Sequence, residues 1–213
     1  MVNYYPLMLN LAGRRAVIVG GGSVAAQKIR TLVETAADIT VVSPELHDEI
    51  KNKLVKERIV WKKKRFEEKD ICDAFLIIAA TNKPEVNMKV YEAARAHQLI
   101  MLVDRPELSD FIVPATVRRG KLAVSVSTSG ASPGLARKIK KELAEQYDET
   151  YEEYLFFLEE TRCRVLREVS DHHLKRHILK ELLQPLFLEL TRQGKVQERE
   201  GLVQQLLKGE TVR

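Results

Sequence analysis

Apolar and polar positions change rhythm along this chain. In the first half, short solid apolar runs alternate with stretches whose apolar residues recur every three or four positions. Arg15-Ala16-Val17-Ile18-Val19 reads as a strand, and residues 23–35 as a helix with Val24, Ile29, Leu32 and Val33 on its apolar face. Residues 39–42 form a second buried strand, and residues 45–56 an amphipathic helix carried by Leu46, Ile50 and Leu54. Ile59-Val60-Trp61 is a third strand. Residues 74–80 are a fourth, apolar on both faces as a central parallel strand must be. A helix over 85–97 and a fifth strand over 99–104 complete the alternation, which predicts a doubly wound parallel sheet.

Beyond Asp104 the rhythm changes. Phe111-Ile112-Val113-Pro114 and residues 122–127 read as strands joined through the turn Arg118-Arg119-Gly120-Lys121. Thr128-Ser129-Gly130-Ala131-Ser132-Pro133 is a loop of small residues. Ser132 suits an N-cap and Pro133 a first helical turn, so a helix starts there. From Asp148 onward only helical periodicity remains, over 151–169, 174–191 and 197–208, with Pro185 predicted to kink or break the second of these. The expected fold is α/β: a Rossmann-type doubly wound parallel sheet over 1–113, a small α+β dimerisation region over 114–147, and an all-helical C-terminal domain over 148–213.

The first strand runs into Gly20-Gly21-Gly22-Ser23-Val24-Ala25. In the dinucleotide form of this turn, Gly20 permits the reversal, Gly22 lets backbone approach a pyrophosphate, and Ala25 lets helix pack on strand. Free N–H groups at the helix start, with Ser23 and Val24, then face the phosphates. Packing alone also makes glycine-rich strand ends, but a second strand at the expected distance favours nucleotide binding. That second strand ends in Ser43-Pro44-Glu45 rather than in an acidic residue. Ser43 offers a hydroxyl to a ribose or simply starts a turn. No Arg follows to hold a 2′-phosphate, which favours NAD over NADP. Thr81 and Asn82 end the fourth strand and Asp104 the fifth, at the edge where open parallel sheets bind ligands. Asp104 is either a general base or a cap of the turn Arg105-Pro106-Glu107.

Charge adds one point. Residues 1–147 carry a surplus of seven basic over acidic side chains, and residues 148–213 a deficit of two. That suits an anionic ligand in the first part. Lys62-Lys63-Lys64-Arg65 reads as a solvated run. His172-His173 with His177 reads as a polar helix surface rather than a metal site, and no metal is expected. Cys72 and Cys163 read as packed, reduced thiols. No apolar run is long enough to span a bilayer and no export signal is evident, so a cytoplasmic protein without membrane or nucleic-acid partners is expected.

These pieces resemble the precorrin-2 dehydrogenase family, which includes stand-alone bacterial dehydrogenases, the yeast-type bifunctional dehydrogenase/ferrochelatase and the N-terminal part of sirohaem synthase. The resemblance rests on Val17-Ile18-Val19-Gly20-Gly21-Gly22, Val41-Val42-Ser43-Pro44-Glu45, Ala79-Ala80-Thr81-Asn82 with Val86-Asn87, and Val103-Asp104-Arg105-Pro106. Asp110-Phe111-Ile112-Val113-Pro114-Ala115 and the run from Val126 to Arg137 follow in the same order. It implies NAD-dependent oxidation of precorrin-2 to sirohydrochlorin in sirohaem biosynthesis, by a homodimer, with a separate chelatase for metal insertion. It carries the family's important aspartate onto Asp104 and its tetrapyrrole-bordering loop onto Ser127, Thr128 and Ser129. Thr128 stands where sirohaem synthases often have Ser. A substrate with eight carboxylate side chains points to the nearby cations Arg118, Arg119, Lys121 and Arg137, with Arg118 and Arg137 as the binding pair. The alternatives are a bifunctional enzyme that also inserts Fe²⁺, and a non-catalytic NAD-sensing module.

Overall fold

The computed structural model describes residues 4–54 and 59–209. The chain divides into two compact units, Met1–Val113 and Pro114–Arg213. In the first, β1 (Arg15–Val19), β2 (Asp38–Val42), β3 (Val60–Lys62), β4 (Leu76–Ala79) and β5 (Leu99–Leu102) form one parallel sheet in the order β3-β2-β1-β4-β5. The connecting helices are α1 (Ser23–Leu32), α2 (Asp48–Lys53) and α3 (Pro84–Ala93). Successive β1 residues serve opposite faces. Ala16 and Ile18 pack with Ala25, Ala26 and Ile29 of α1 and Ile50 of α2, whereas Val17 and Val19 pack with Val90 of α3. Helices on both faces explain why the strands are solidly apolar rather than alternating. Strand order reverses between β1 and β4, so a crevice is expected at their carboxyl ends.

Several elements are shorter than their patterns predict. The helix expected over 45–56 begins at Asp48, where the His47 side chain caps it by accepting from Glu49 N–H at 3.3 Å. Its predicted last residues fall outside the described range. The helix expected to reach residue 97 stops at Ala93, because Ala94 turns extended. Buried Gln98 then donates to the Ile71 and Ala74 carbonyls, which pins the loop. Val24 does not join the core face of α1 but is 44% exposed in its first turn, at the sheet rim. Cys72 and Cys163 are both exposed rather than packed: one lies on a loop, the other on the outward face of a helix. Phe111-Ile112-Val113-Pro114 is not a strand. Ser109 and Asp110 instead accept the Leu102 and Ile100 N–H groups of β5, covering that edge, and Phe111 packs on the core beside it.

The lysine run is also only partly solvated. Lys62 and Lys64 close on Asp70, which is 1% exposed, at 3.1 and 3.0 Å, and the Glu67 N–H donates to the same carboxylate. Desolvation pushes the Asp70 carboxyl up, but hydrogen bonds from Lys64, Lys62 and Glu67 N–H outweigh it and hold the group below the ordinary carboxylate range. A depressed folded-state pKa stabilises above the unfolded value of about 3.9 and ceases to do so as pH falls through the folded value. Asp70→Asn should therefore cost roughly 2 kcal/mol at pH 7, a fall of about 4–8 °C in Tm. Mutant and parent should converge as pH falls through the folded value, as thermal melts across an acid pH series will report.

In the second unit, β6 (Ala115–Arg119) and β7 (Leu122–Val126) form an antiparallel hairpin with Arg119 opposite Leu122. The turn is thus Gly120-Lys121 alone, and Gly120 takes φ +51° at its first central position. Arg118 and Arg119 are strand residues, not turn residues. Helix α4 (Pro133–Gln146) packs on both strands. Helices α5 (Thr150–Glu168), α6 (His172–Glu181), α7 (Pro185–Arg192) and α8 (Val196–Leu207) follow. Their core holds Tyr154, Phe157, Val165, Ile178, Leu182, Phe187, Val203 and Leu206. Pro185 breaks the predicted 174–191 helix outright, becoming the first residue of α7. The break shifts the helical phase, so Leu183 and Leu186 face solvent while Phe187 and Leu190 go inside.

Candidate active site

The carboxyl rim of the parallel sheet collects the candidate cofactor residues. Gly20 has φ +121°, a conformation L side chains avoid, and a Cβ there would lie 2.2 Å from the Ala80 carbonyl oxygen. The turn after β1 therefore lies directly against the end of β4. A Cβ on Gly21 would lie 2.0 Å from the Glu45 carbonyl oxygen and 2.8 Å from Ser43 Oγ. The Gly21 carbonyl also accepts from His47 N–H at 2.6 Å. Gly21, which the dinucleotide spacing leaves as a free position, is thus required by the loop after β2. Gly21→Ala should lower stability by about 2–3 kcal/mol, seen as a fall of roughly 5–10 °C in the melting temperature.

Gly22 differs from both. It is exposed, has φ −81°, and a Cβ there would meet nothing within 4 Å. It is the N-cap of α1, and no side chain caps the helix there. Open space beside free N–H groups at a helix start fits a pyrophosphate, with Ser23 and Val24 in the first turn. Ala25 is fully buried under that turn. At the end of β2, Ser43 is buried, its carbonyl accepts from Trp61 Nε1 at 2.9 Å, and its hydroxyl lies against Gly21; Pro44 is exposed.

At the ends of β4 and β5, Thr81 and Asp104 are joined through Asn87 of α3. Asn87 Nδ2 donates to Asp104 Oδ1 at 2.9 Å and to the Thr81 carbonyl at 3.3 Å, while Oδ1 accepts from Thr81 N–H at 3.1 Å. Asp104 is exposed two residues past β5, and the Asn87 amide holds it rather than the turn that follows. Asn82 is exposed beside Thr81. Periodicity marks Asn87 only as an unexpected polar residue on an apolar helix face, and that is the signal by which it could be found.

The candidate substrate residues lie in the second unit. Ser127 and Thr128 shape their own loop: Ser127 Oγ accepts from Ser129 N–H, and Thr128 Oγ1 from Ser132 N–H, both at 3.1 Å. Ser129 and Gly130 both take positive φ, and Ser132 caps α4 by accepting from Leu135 N–H at 3.3 Å. Arg118 on β6 and Arg137 in α4 are exposed. Arg119 and Lys121 are committed elsewhere: Arg119 to the Ala144 carbonyl and Glu149, Lys121 to Glu159. His172 and His173 open α6, and with His177 they are exposed; among the described residues no cluster of three potential metal ligands occurs. Among the same residues, no helix is long and apolar enough to cross a membrane.

Residues 7–115 match the NAD(P)-binding family model, and residues 119–146 match the model for the central part of sirohaem biosynthesis proteins. The precorrin-2 dehydrogenase of Priestia megaterium is 34% identical over 200 residues, which cover 94% of this chain and 97% of that one. That of Bacillus subtilis (strain 168) is 44% identical over 143 residues, 67% of this chain and 86% of the relative. The chain belongs to the precorrin-2 dehydrogenase family. A solved structure, SirC, precorrin-2 dehydrogenase, superposes with a TM-score of 0.78 at 32% identity, covering 93% of this chain and all of that one. The siroheme synthase of Nitrosococcus oceani is 32% identical over 209 residues, but the chain spans only 45% of that longer protein. Family membership makes the first unit of this precorrin-2 dehydrogenase homologue an NAD(P)-binding fold, in agreement with its strand order and glycine turn.

Proposed function

We propose that the protein is an NAD⁺-dependent precorrin-2 dehydrogenase that oxidises precorrin-2 to sirohydrochlorin in sirohaem biosynthesis, as a homodimer. One observation supports the reading beyond family membership: an exposed carboxylate, Asp104, is anchored at the rim of a sheet whose first turn leaves open space at Gly22, the N-cap of α1. In this reading Gly20, Gly22, Ser23 and Val24 hold the pyrophosphate, Ser43 and Pro44 border the adenosine ribose, and Thr81 and Asn82 border the nicotinamide end. NAD⁺, when bound, supplies the acceptor for a hydride. The substrate loses that hydride and one proton, and Asp104 takes the proton. Exposed Arg118 and Arg137, with Ser127, Thr128 and Ser129, meet the carboxylates of the macrocycle.

NAD⁺ rather than NADP⁺ is favoured because Ser43-Pro44-Glu45 provides no guanidinium for a 2′-phosphate and adds an acidic residue. A cytoplasmic setting with a separate chelatase completes the proposal. The test is anaerobic incubation with precorrin-2 and either cofactor, followed by absorbance. Oxidation at least about tenfold faster with NAD⁺ is expected. No oxidation with either cofactor overturns the assignment. Sirohydrochlorin with Fe²⁺ and no NAD⁺ should remain unchanged; metal insertion would make the enzyme bifunctional.

A further inference from the structure

Asn87 is fully buried, yet one of its bonds reaches an exposed carboxylate. Its side-chain oxygen takes two donors from Thr81, the N–H at 3.1 Å and the hydroxyl at 2.8 Å. Its NH₂ group gives one hydrogen to the Thr81 carbonyl and the other to Asp104 Oδ1. Both donors of the amide are occupied, its oxygen accepts the Thr81 N–H and shares the single Thr81 hydroxyl hydrogen with the Lys83 carbonyl at 3.0 Å, and flipping it would set NH₂ against the Thr81 N–H. The amide therefore has one orientation. Three of its four bonds close the loop between β4 and α3; the fourth does nothing for that loop.

We propose that Asn87 is the positioning residue for Asp104. The inference rests on the reading of Asp104 as the proton acceptor. An exposed aspartate on a loop samples several rotamers, and each wrong one carries its oxygens away from the substrate. A single bond from a rigid, buried donor selects one rotamer and occupies Oδ1. Among the described residues Oδ2 has no partner, so it is the oxygen that receives the proton. The fold thereby links the ends of β4 and β5, so the proton acceptor and the Thr81 loop move as one piece.

The test compares Asn87→Ala, Asn87→Asp, Asp104→Ala and the Asn87→Ala/Asp104→Ala double variant for kcat, NAD⁺ affinity and melting temperature. Asn87→Ala should lower kcat about tenfold and should add no further loss of kcat in the Asp104→Ala background. Asn87→Asp retains an acceptor for Thr81 but turns an oxygen toward Asp104, so it should be at least as slow as Asn87→Ala. An equal loss from Asn87→Ala in both backgrounds, or an Asn87→Asp enzyme as fast as the parent, overturns the positioning role and leaves Asp104's role standing. Parental turnover in Asp104→Ala overturns both. Where the Asp104→Ala rate is too low to measure, or Asn87→Ala does not fold, the Asn87→Asp rate decides.

Discussion

Asp104→Ala should lower kcat about a hundredfold while NAD⁺ affinity changes by less than about twofold. The residue lies beyond the end of β5, on the opposite side of β4 from the glycine turn after β1. Its loss removes no bond from the pyrophosphate-side N–H groups. Neither is the fold at risk, because the side chain is exposed and Asn87, which holds it, keeps three other bonds. A loss confined to kcat is the signature of a group acting on the reacting atoms rather than on binding. Residual turnover is expected, since an electron-rich macrocycle can also release its proton to water. Single-turnover oxidation of precorrin-2 beside fluorescence titration of NAD⁺ measures both quantities. Equal rates in variant and parent would remove Asp104 from the mechanism.

Gly22→Asp should weaken NAD⁺ binding more than about a hundredfold and leave the melting temperature unchanged or slightly raised. The two halves of this expectation come from the same geometry. Gly22 has an ordinary φ and open space where a Cβ would go, so a side chain causes no strain. It is also the N-cap of α1, a position where Asp is among the best residues. The new carboxylate would cap the N–H groups that the pyrophosphate needs and repel its charge. Gly20 and Gly21 respond in the opposite way, because side chains there collide with the Ala80 and Glu45 carbonyls and damage the fold first. A folded Gly22→Asp protein that still binds NAD⁺ normally would refute the turn assignment.

Much of the first unit is legible in the order of apolar and polar residues. Solid apolar runs such as Ala16–Val19 or Ile77–Ala79 can be buried on both faces only in a covered parallel sheet, so class and strand positions followed from period alone. Termini were less legible. Helix α3 stops at Ala93, and the loop after it is pinned by Gln98 reaching the Ile71 and Ala74 carbonyls, bonds made 27 and 24 residues away. Phe111–Pro114 carries a strand's composition but finds no strand to pair with, because Ser109 and Asp110 already cover the edge of β5. The Lys62–Arg65 run shows the same limit: its charge is visible in one dimension, the buried Asp70 that absorbs half of it is not.

Local periodicity and spacing were enough to reveal the parallel sheet, the glycine turn after β1 and the placement of Thr81 and Asp104 at strand ends. Which glycines serve the fold and which leaves open space emerged from three-dimensional packing, since that turns on the Ala80 and Glu45 carbonyls brought in from elsewhere in the chain. That packing alone joined Asp104 to Thr81 through Asn87, because a hydrogen bond spanning 17 residues depends on where two strand ends and a helix meet in space.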